Sequence, residues 1–408
     1  MRILYILPYM PIPANSGNKN LTYNLLKFAN KEFVIDLMII DSFCDNETIN
    51  KLIKKDFPEI KNIFFYKKNS SIKLFLYKLF FFLRGLPPVL GNYFSFNVSH
   101  WLKKNQVFYD LIHFDMWYGS PYTEVLKNKP TVLVSSDAYS LAADLANKET
   151  KQILRKIYLN IYKYFFLTLE KYYYPKFDSI ICVANKDSCY LANKNKLKNI
   201  STIGIPIDEK LENKYITHFH QIKSNPDKVK ILIVGNISHN LISARIYSYL
   251  VNVYPHIKEK YPRLETVILG QKPRNYLLEK IDQLKNVIHI DFAENYYDFL
   301  DQDWIYIYPL NVATGLQTKL QQALAIGLPV IANRICLGGL NLTNNVNVLE
   351  SNNDKDTIRH ITELVEVPSK RINLGKSARD HICENFCISN IGEKYRKMYL
   401  RTLRSKNN

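Results

Sequence analysis

The residues best placed to do chemistry sit between positions 308 and 331. An apolar run closes at Pro309, Thr314 and Gly315 follow, Lys319 and Gln322 come next on helical spacing, and Gly327 ends the pattern. The spacing predicts a helix that opens at Thr314 and Gly315, with Thr314 in a capping position, and runs to Ile326. A helix that opens directly after a strand presents its first backbone N–H groups and its positive dipole end, which makes an anion site. Side chains lean toward the helix N-terminus, so the Lys319 ammonium, one turn in, could meet a diphosphate. Gln322 shares that face and could hydrogen-bond a ribose. On spacing alone, an ordinary surface helix with one lysine reads equally well.

Other candidate groups fall at predicted strand ends. Gly235, Asn236 and Ser238 follow one apolar run, Ser16, Gly17 and Asn18 follow another, and His113, Asp115 and Asp137 close two more. Asp137 and His113 are of the types that take a proton from a hydroxyl. Asp137 is the stronger candidate, although it could merely cap the next helix; for His113 a hydrogen-bonded strand-end histidine is an equal reading. The cysteines at 44, 182, 189, 336, 383 and 387 form no C-x-x-C pair and no zinc-spaced cluster. They read as reduced, buried thiols, and no metal or other cofactor is expected.

These residues need elements to hold them. The chain has 408 residues, room for two or three domains at roughly 150 residues each. Hydrophobic residues make up 47%, and 13 Gly with 17 Pro is too few for a fibrous or low-complexity chain. Lysine and arginine outnumber aspartate and glutamate 55 to 37, a net charge of +18. That balance attracts polyanions: nucleic acid, an anionic membrane face or a phosphorylated small molecule.

Apolar runs at residues 2–7, 33–40, 62–66, 111–114, 131–134, 179–183 and 201–204 alternate with helical patterns, the first at 19–30. The series restarts at 228–234 and continues at 265–269, 287–289, 304–308 and 329–331. Strand, helix, strand at this spacing predicts an α/β fold with parallel sheets and crossover helices. The polar stretch 206–227 reads as a hinge, giving domains at 1–205 and 206–380 and a last segment, 381–408, with an amphipathic helix at about 391–404. That helix is expected to cross back to the first domain. Ligands of open parallel sheets sit at the carboxyl ends of strands, so two such domains face to face would hold a site in a cleft. The opening apolar run is too short for a signal peptide, and no stretch supplies the ~20 apolar residues of a spanning helix; a cytoplasmic protein is expected.

The run P-L-x3-T-G-L-Q-T-K-L-x-Q-A-L-A-x-G-L-P-V-I, from Pro309 to Ile331, resembles the donor-binding motif of GT-B glycosyltransferases, in particular family 4 and its polysaccharide-biosynthesis sugar transferases. Similar stretches cover most of the chain: Met1-Arg2-Ile3-Leu4 with Ser16-Gly17, Val134-Ser135-Ser136-Asp137, Phe177-Asp178-Ser179, Gly204-Ile205-Pro206, Ile233-Val234-Gly235-Asn236 and Ile268-Leu269-Gly270. The resemblance implies GT-B architecture: two Rossmann-like, doubly wound parallel-sheet domains facing a central cleft. It implies a metal-independent, retaining, hexosyltransferase-type enzyme that uses a UDP- or GDP-type nucleotide-sugar, bound by the C-terminal domain. Gly17, Gly235, Asn236, Ser238, Thr314, Gly315, Lys319 and Gln322 would then bind the donor. Ser16, Asn18 and His113 would lie on the acceptor side, and Asp137 and Lys319 would be catalytic.

Two departures stand out. The family usually carries two glutamates eight residues apart, the second gripping the ribose, where this chain has Thr314 and Gln322. Glutamine is a neutral and weaker acceptor than carboxylate. No Arg or Lys follows Gly235, where many members place a basic phosphate contact. Asp301-Gln302-Asp303 has the letters of the metal-binding DxD motif of the other major glycosyltransferase fold, whose carboxylates hold a divalent cation. Here it precedes the run 304–308 and follows a helical pattern at 295–300, so it reads as a solvated turn.

Ile72, Phe75, Leu76, Leu79, Phe80 and Leu83 recur at helical spacing as one apolar face, with Lys73, Lys78 and Arg84 mostly elsewhere. Aromatic and basic residues alternate again at 155–166 and 171–177. Such faces suit helices lying on an anionic leaflet, although packing on a sheet would use the same pattern. On the membrane reading the protein is peripheral on the inner face of the cytoplasmic membrane. Its acceptor is then lipid-linked, with a saccharide as the other option, and its product is bacterial capsule, lipopolysaccharide O-antigen or exopolysaccharide. The residues at 314 and 322 also allow a catalytically silent GT-B scaffold that binds a partner at the membrane. No nucleic-acid-binding pattern appears and the basic residues are dispersed, so no nucleic acid is expected.

Overall fold

Runs buried on both faces, such as Ile3–Leu7 in the first strand, form parallel sheets because crossover helices cover each side. The computed structural model describes residues 1–14, 16–40, 46–66, 71–209, 211, 229–293, 303–311, 313 and 315–407. The chain divides into unit 1, Met1–Pro206 with Ile388–Asn408, and unit 2, Ile207–Cys387.

Unit 1 holds β1 (Arg2–Leu7), β2 (Val34–Ile40), β3 (Asn62–Tyr66), β4 (Leu111–Asp115), β5 (Thr131–Ser136), β6 (Ser179–Cys182) and β7 (Ile200–Thr202). They form one parallel sheet in the order β3-β2-β1-β4-β5-β6-β7. Its helices are α1 (Gly17–Glu32), α2 (Asn46–Asp56), α3 (Ser71–Leu83), α4 (Phe96–Asn105), α5 (Tyr139–Glu149), α6 (Ile153–Tyr173) and α7 (Asn185–Asn195).

Unit 2 holds β8 (Lys230–Val234), β9 (Glu265–Leu269), β10 (Val287–Ile290), β11 (Trp304–Ile307), β12 (Val330–Ala332) and β13 (Leu349–Glu350). The order is β10-β9-β8-β11-β12-β13, again parallel. Helices α8 (Asn240–Asn252), α9 (Tyr254–Lys260), α10 (Asn275–Asp282), α11 (Thr318–Ala325), α12 (Asp354–Glu366) and α13 (Pro368–Phe386) belong here, while α14 (Ile388–Asn407) returns to unit 1. The two-residue β13 is too short to leave a periodic signal in the sequence.

Each sheet reverses its winding once, between β1 and β4 in unit 1 and between β8 and β11 in unit 2. At such a reversal the loops leaving the two neighbouring strands splay apart and open a crevice at the strands' carboxyl ends. The cores differ in kind. Unit 1 packs aromatic rings, among them Phe114, Trp117, Tyr122 and Phe166. Unit 2 packs aliphatic side chains such as Ile231, Ile233, Leu250 and Leu364.

Candidate functional site

In unit 2 the loop leaving β11 leads into α11, which begins at Thr318 and ends at Ala325. The helix therefore opens later than the spacing predicts. The reason is Gly315, whose φ of 63° places it in the left-handed region, outside right-handed helix geometry and open mainly to glycine. Gln317 takes the capping position without a side-chain cap bond; its Oε1 accepts from the Tyr308 hydroxyl at 2.6 Å. Thr314 lies outside the described residues. Lys319 becomes the second residue of the helix, inside the first turn.

Gly315 is buried, and Lys319 and Gln322 are half-buried. First-turn N–H groups of an α-helix have no acceptor within the helix, so this end carries positive potential, and the Lys319 side chain adds a full charge in the same turn. Burial lowers the Lys319 pKa below the ordinary lysine value. An ammonium stripped of water in this way gains more from a neighbouring anion than an exposed one does. Gln322 lies one turn further on, its carbonyl accepting the Ile326 N–H at 3.1 Å.

The neighbouring strand β8 ends in the glycine loop. A Cβ on Gly235 would lie 2.7 Å from Ile242 Cγ2, and one on Gly270 would lie 2.3 Å from the Gly235 carbonyl oxygen. Close approach of the β8 and β9 ends thus requires Gly270, while Gly235 leaves room for the Ile242 side chain of α8. Asn236 is exposed, and the Ser238 hydroxyl donates to Asn236 Oδ1 at 2.6 Å. His239 is exposed and caps α8 without a side-chain bond. Gly235, Asn236 and Ser238 thus follow β8, and Gly315 and Lys319 follow β11, adjacent strands on the two sides of the reversal in the unit 2 sheet.

Sequence reasoning passed over a cavity of about 120 Å³ at the same strand ends, lined by Arg245, Tyr308, Asn311, Asn333 and Ser351 among others. Asn311 Oδ1 is buried there without a hydrogen-bond partner among the described residues. Asn311 could have been noticed as the polar residue two positions after Pro309; Arg245, in mid-helix, offered no signal. Asp303 departs from expectation. Its Oδ1 accepts from the Arg371 guanidinium at 3.0 Å, and Arg371 is buried, so this carboxylate belongs to an ion pair and not to a solvated turn. Asp301 lies outside the described residues.

In unit 1 the reversal point brings the first loop beside the end of β4. Ser16 caps α1, its Oγ accepting the Lys19 N–H at 3.5 Å, and the Asn18 carbonyl accepts from the Thr22 hydroxyl at 2.9 Å. The same hydroxyl lies 2.5 Å from a carboxyl oxygen of buried Asp115, so the two acceptors share its one proton. Burial raises the Asp115 pKa to about 6. Gly17 is half-buried at the start of α1.

His113 is not brought to that edge. Strand β4 runs on to Asp115, which leaves His113 in mid-strand and buried. The Tyr399 hydroxyl of α14 hydrogen-bonds its Nδ1 at 2.9 Å, and its ring stacks on Tyr5 with centroids 4.2 Å apart. Burial pushes its pKa down to about 3, so the ring is neutral. The hydrogen-bonded reading of this histidine is the one its surroundings fit.

Asp137 follows β5 in a tight turn: its N–H donates to the Ser135 carbonyl at 2.8 Å, and the Ser135 hydroxyl donates to the Asp137 carbonyl at 2.9 Å. It does not cap α5, whose capping residue is Ala138. Asp187 Oδ1 accepts the Ala138 N–H instead, at 3.0 Å. Burial, with the Asp187 charge added, raises Asp137 to about 7. Glu170, also raised to about 7 by burial, accepts from Ser140 Oγ at 2.6 Å. Sequence reasoning missed Asp187 and Glu170, because helices α6 and α7 bring them in from far along the chain. A carboxyl that titrates near neutrality suits proton transfer at physiological pH. Among the described residues, no helix is long and apolar enough to cross a membrane.

Residues 217–366 match the family Glycosyl transferases group 1. Unit 2 thus carries a domain of that group, and the chain is a transferase. No curated protein sequence matches the chain. Solved structures do. HepE from Anabaena, in complex with UDP, is 12% identical at a TM-score of 0.64, covering 98% of this chain and 100% of its own. An S. aureus TarM variant, in complex with Fondaparinux, alpha-GlcNAc-glycerol and UDP, is 12% identical at a TM-score of 0.65, covering 98% and 99%. Sucrose-phosphate synthase from Thermosynechococcus elongatus is 14% identical at a TM-score of 0.66, covering 99% and 100%. At these identities the shared property is the fold: two parallel-sheet α/β domains of GT-B type.

Proposed function

We propose that the chain moves a sugar from a nucleotide diphosphate donor to a lipid-linked or saccharide acceptor in the synthesis of bacterial surface polysaccharide. It works on the cytoplasmic face of an anionic membrane, without a metal ion. Unit 2 holds the donor and unit 1 the acceptor. The observation that carries this reading is the half-buried Lys319 in the first turn of α11, behind the left-handed turn at Gly315. Negative charge grows on the diphosphate as the glycosidic bond breaks. First-turn amides and an ammonium set in place beforehand stabilise that charge without reorganising. Gln322 hydrogen-bonds the ribose and Asn236 and Ser238 approach the donor from β8. Retention follows from a mechanism that relies on the departing diphosphate, with Asp137 moving a proton on the acceptor side. UDP in the HepE and TarM complexes supports a nucleotide donor.

The test is turnover of UDP- and GDP-sugars by the purified protein with a lipid-linked acceptor and no added divalent cation. Transfer is expected. Absence of nucleotide binding, together with a Lys319→Ala variant that behaves like the parent, would end the proposal. Gln322, where a ribose-gripping acid is usual in the family it resembles, favours one rival: a silent scaffold that binds a partner at the membrane. Measurable transfer removes it.

A further inference from the structure

Helices α3 and α6 of unit 1 turn apolar residues outward. Of the α3 side chains only Phe81 is buried. Ile72, Phe75 and Leu83 are 77%, 64% and 75% exposed, and Leu76, Leu79 and Phe80 are exposed with them. The periodic apolar face of α3 is therefore the face it shows to solvent. On α6, Leu154, Ile157, Ile161 and Tyr164 fall along one side of the helix and are all exposed, Leu154 to 82%.

The two helices meet. The Phe82 and Phe165 rings lie 5.9 Å apart, and the Arg84 guanidinium donates to the Tyr172 hydroxyl at 3.0 Å. Beyond α3 the surface continues through Tyr77 to Phe96, whose rings are 5.7 Å apart; Phe96 is also exposed. A contiguous apolar surface of this extent marks an interaction site.

Charge selects the occupant. Lys73, Lys151, Arg155, Lys156 and Lys171 are exposed on or beside the two helices. Neither helix exposes an acid: α3 contains none, and the one acid of α6, Glu170, is buried against Ser140. A second copy of this chain would set a net +18 against +18. An anionic bilayer satisfies both features, hydrocarbon for the side chains and phosphates for the cations. We infer that α3 and the amino-terminal half of α6 insert together at the headgroup–acyl boundary of an anionic lipid leaflet, with Lys73, Arg155 and Lys156 at the phosphates. This rests on the membrane part of the proposed function and deepens it, by making insertion through two joined helices the basis of attachment.

The experiment compares the full-length protein with a Phe75→Ser, Leu83→Ser, Leu154→Ser variant. Both are sedimented with vesicles of equal parts phosphatidylglycerol and phosphatidylethanolamine, and with vesicles of phosphatidylcholine alone. The parent should partition to the anionic vesicles, and the triple variant should bind at least about tenfold more weakly while keeping its affinity for UDP. Tryptophan placed by Phe75→Trp should shift to the blue on the anionic vesicles and be quenched by brominated acyl chains, after subtraction of Trp101, Trp117 and Trp304. Unchanged vesicle binding by the triple variant, or no quenching, overturns insertion while leaving the transferase reading intact. A dimer that the same substitutions dissolve overturns it as well. Vesicle binding as expected but no UDP affinity would instead count against the proposed function.

Discussion

Units 1 and 2 share a strand order down to the single reversal between their first and fourth strands, yet they bury and expose different chemistry. Unit 2 has a mostly aliphatic core, buries Arg371 beside Asp303, and carries its candidate donor-side residues around the glycine turn at Gly315 and the opening of α11. Unit 1 packs aromatic rings and buries His113, Asp115, Glu170 and Asp187. Among the described residues it also leaves apolar side chains of α3 and α6 exposed. A doubly wound sheet decides where a crevice forms. What the crevice can hold is decided by the residues at helix starts and strand ends, and there the two units have diverged.

The sharpest tests of that contrast fall in unit 2. Arg371→Ala leaves Asp303 partly buried without its guanidinium, and should destabilise unit 2 by about 3 kcal/mol or more in urea unfolding; a loss within error would mean that the pair is not structural. Lys319→Ala should reduce sugar transfer about a hundredfold with little change in the unfolding midpoint, measured as kcat under donor saturation. If the loss appeared equally in stability, the lysine would be a packing residue.

Unit 1 should respond to pH. Asp137 and Glu170 hold their protons up to about pH 7 in the folded protein, whereas in the unfolded chain both lose them near pH 4. Their contribution to stability is thus full below about pH 4 and disappears as the pH rises through about 7. Asp137→Asn should flatten that decline in urea midpoints taken across the range. It should also remove any rise of kcat/KM through neutrality, and an unaltered slope would mean that the Asp137 carboxyl is not held protonated. The smallest effect belongs to Tyr399→Phe, which removes the hydroxyl shared by Tyr5 and His113. It should cost about 1 kcal/mol in unfolding of unit 1 and leave donor binding alone.

Much of this was legible in the residues. Strands buried on both sides write continuous apolar runs, so Arg2–Leu7 and Glu265–Leu269 appear as expected. Sites at strand ends follow from the parallel order. The start of α11 was not legible, because hydrophobic spacing runs on past Gly315 while its backbone does not. The environment of Asp137 was not legible either, since Asp187 acts on it, and Glu170 bonds nearby Ser140, only through tertiary packing. The spacing of α3 disclosed an apolar face but not what that face meets: a pattern of period 3.6 is the same whether it lies on a sheet or in solvent.

The claim on which the rest depends is that a diphosphate rests at the opening of α11. Titrating UDP into protein isotope-labelled at glycine and lysine, and following backbone amide resonances, tests it directly. The Gly315 and Lys319 amides should shift with UDP and stay still with uridine alone. Shifts that spare both residues while appearing elsewhere in unit 2 would contradict it.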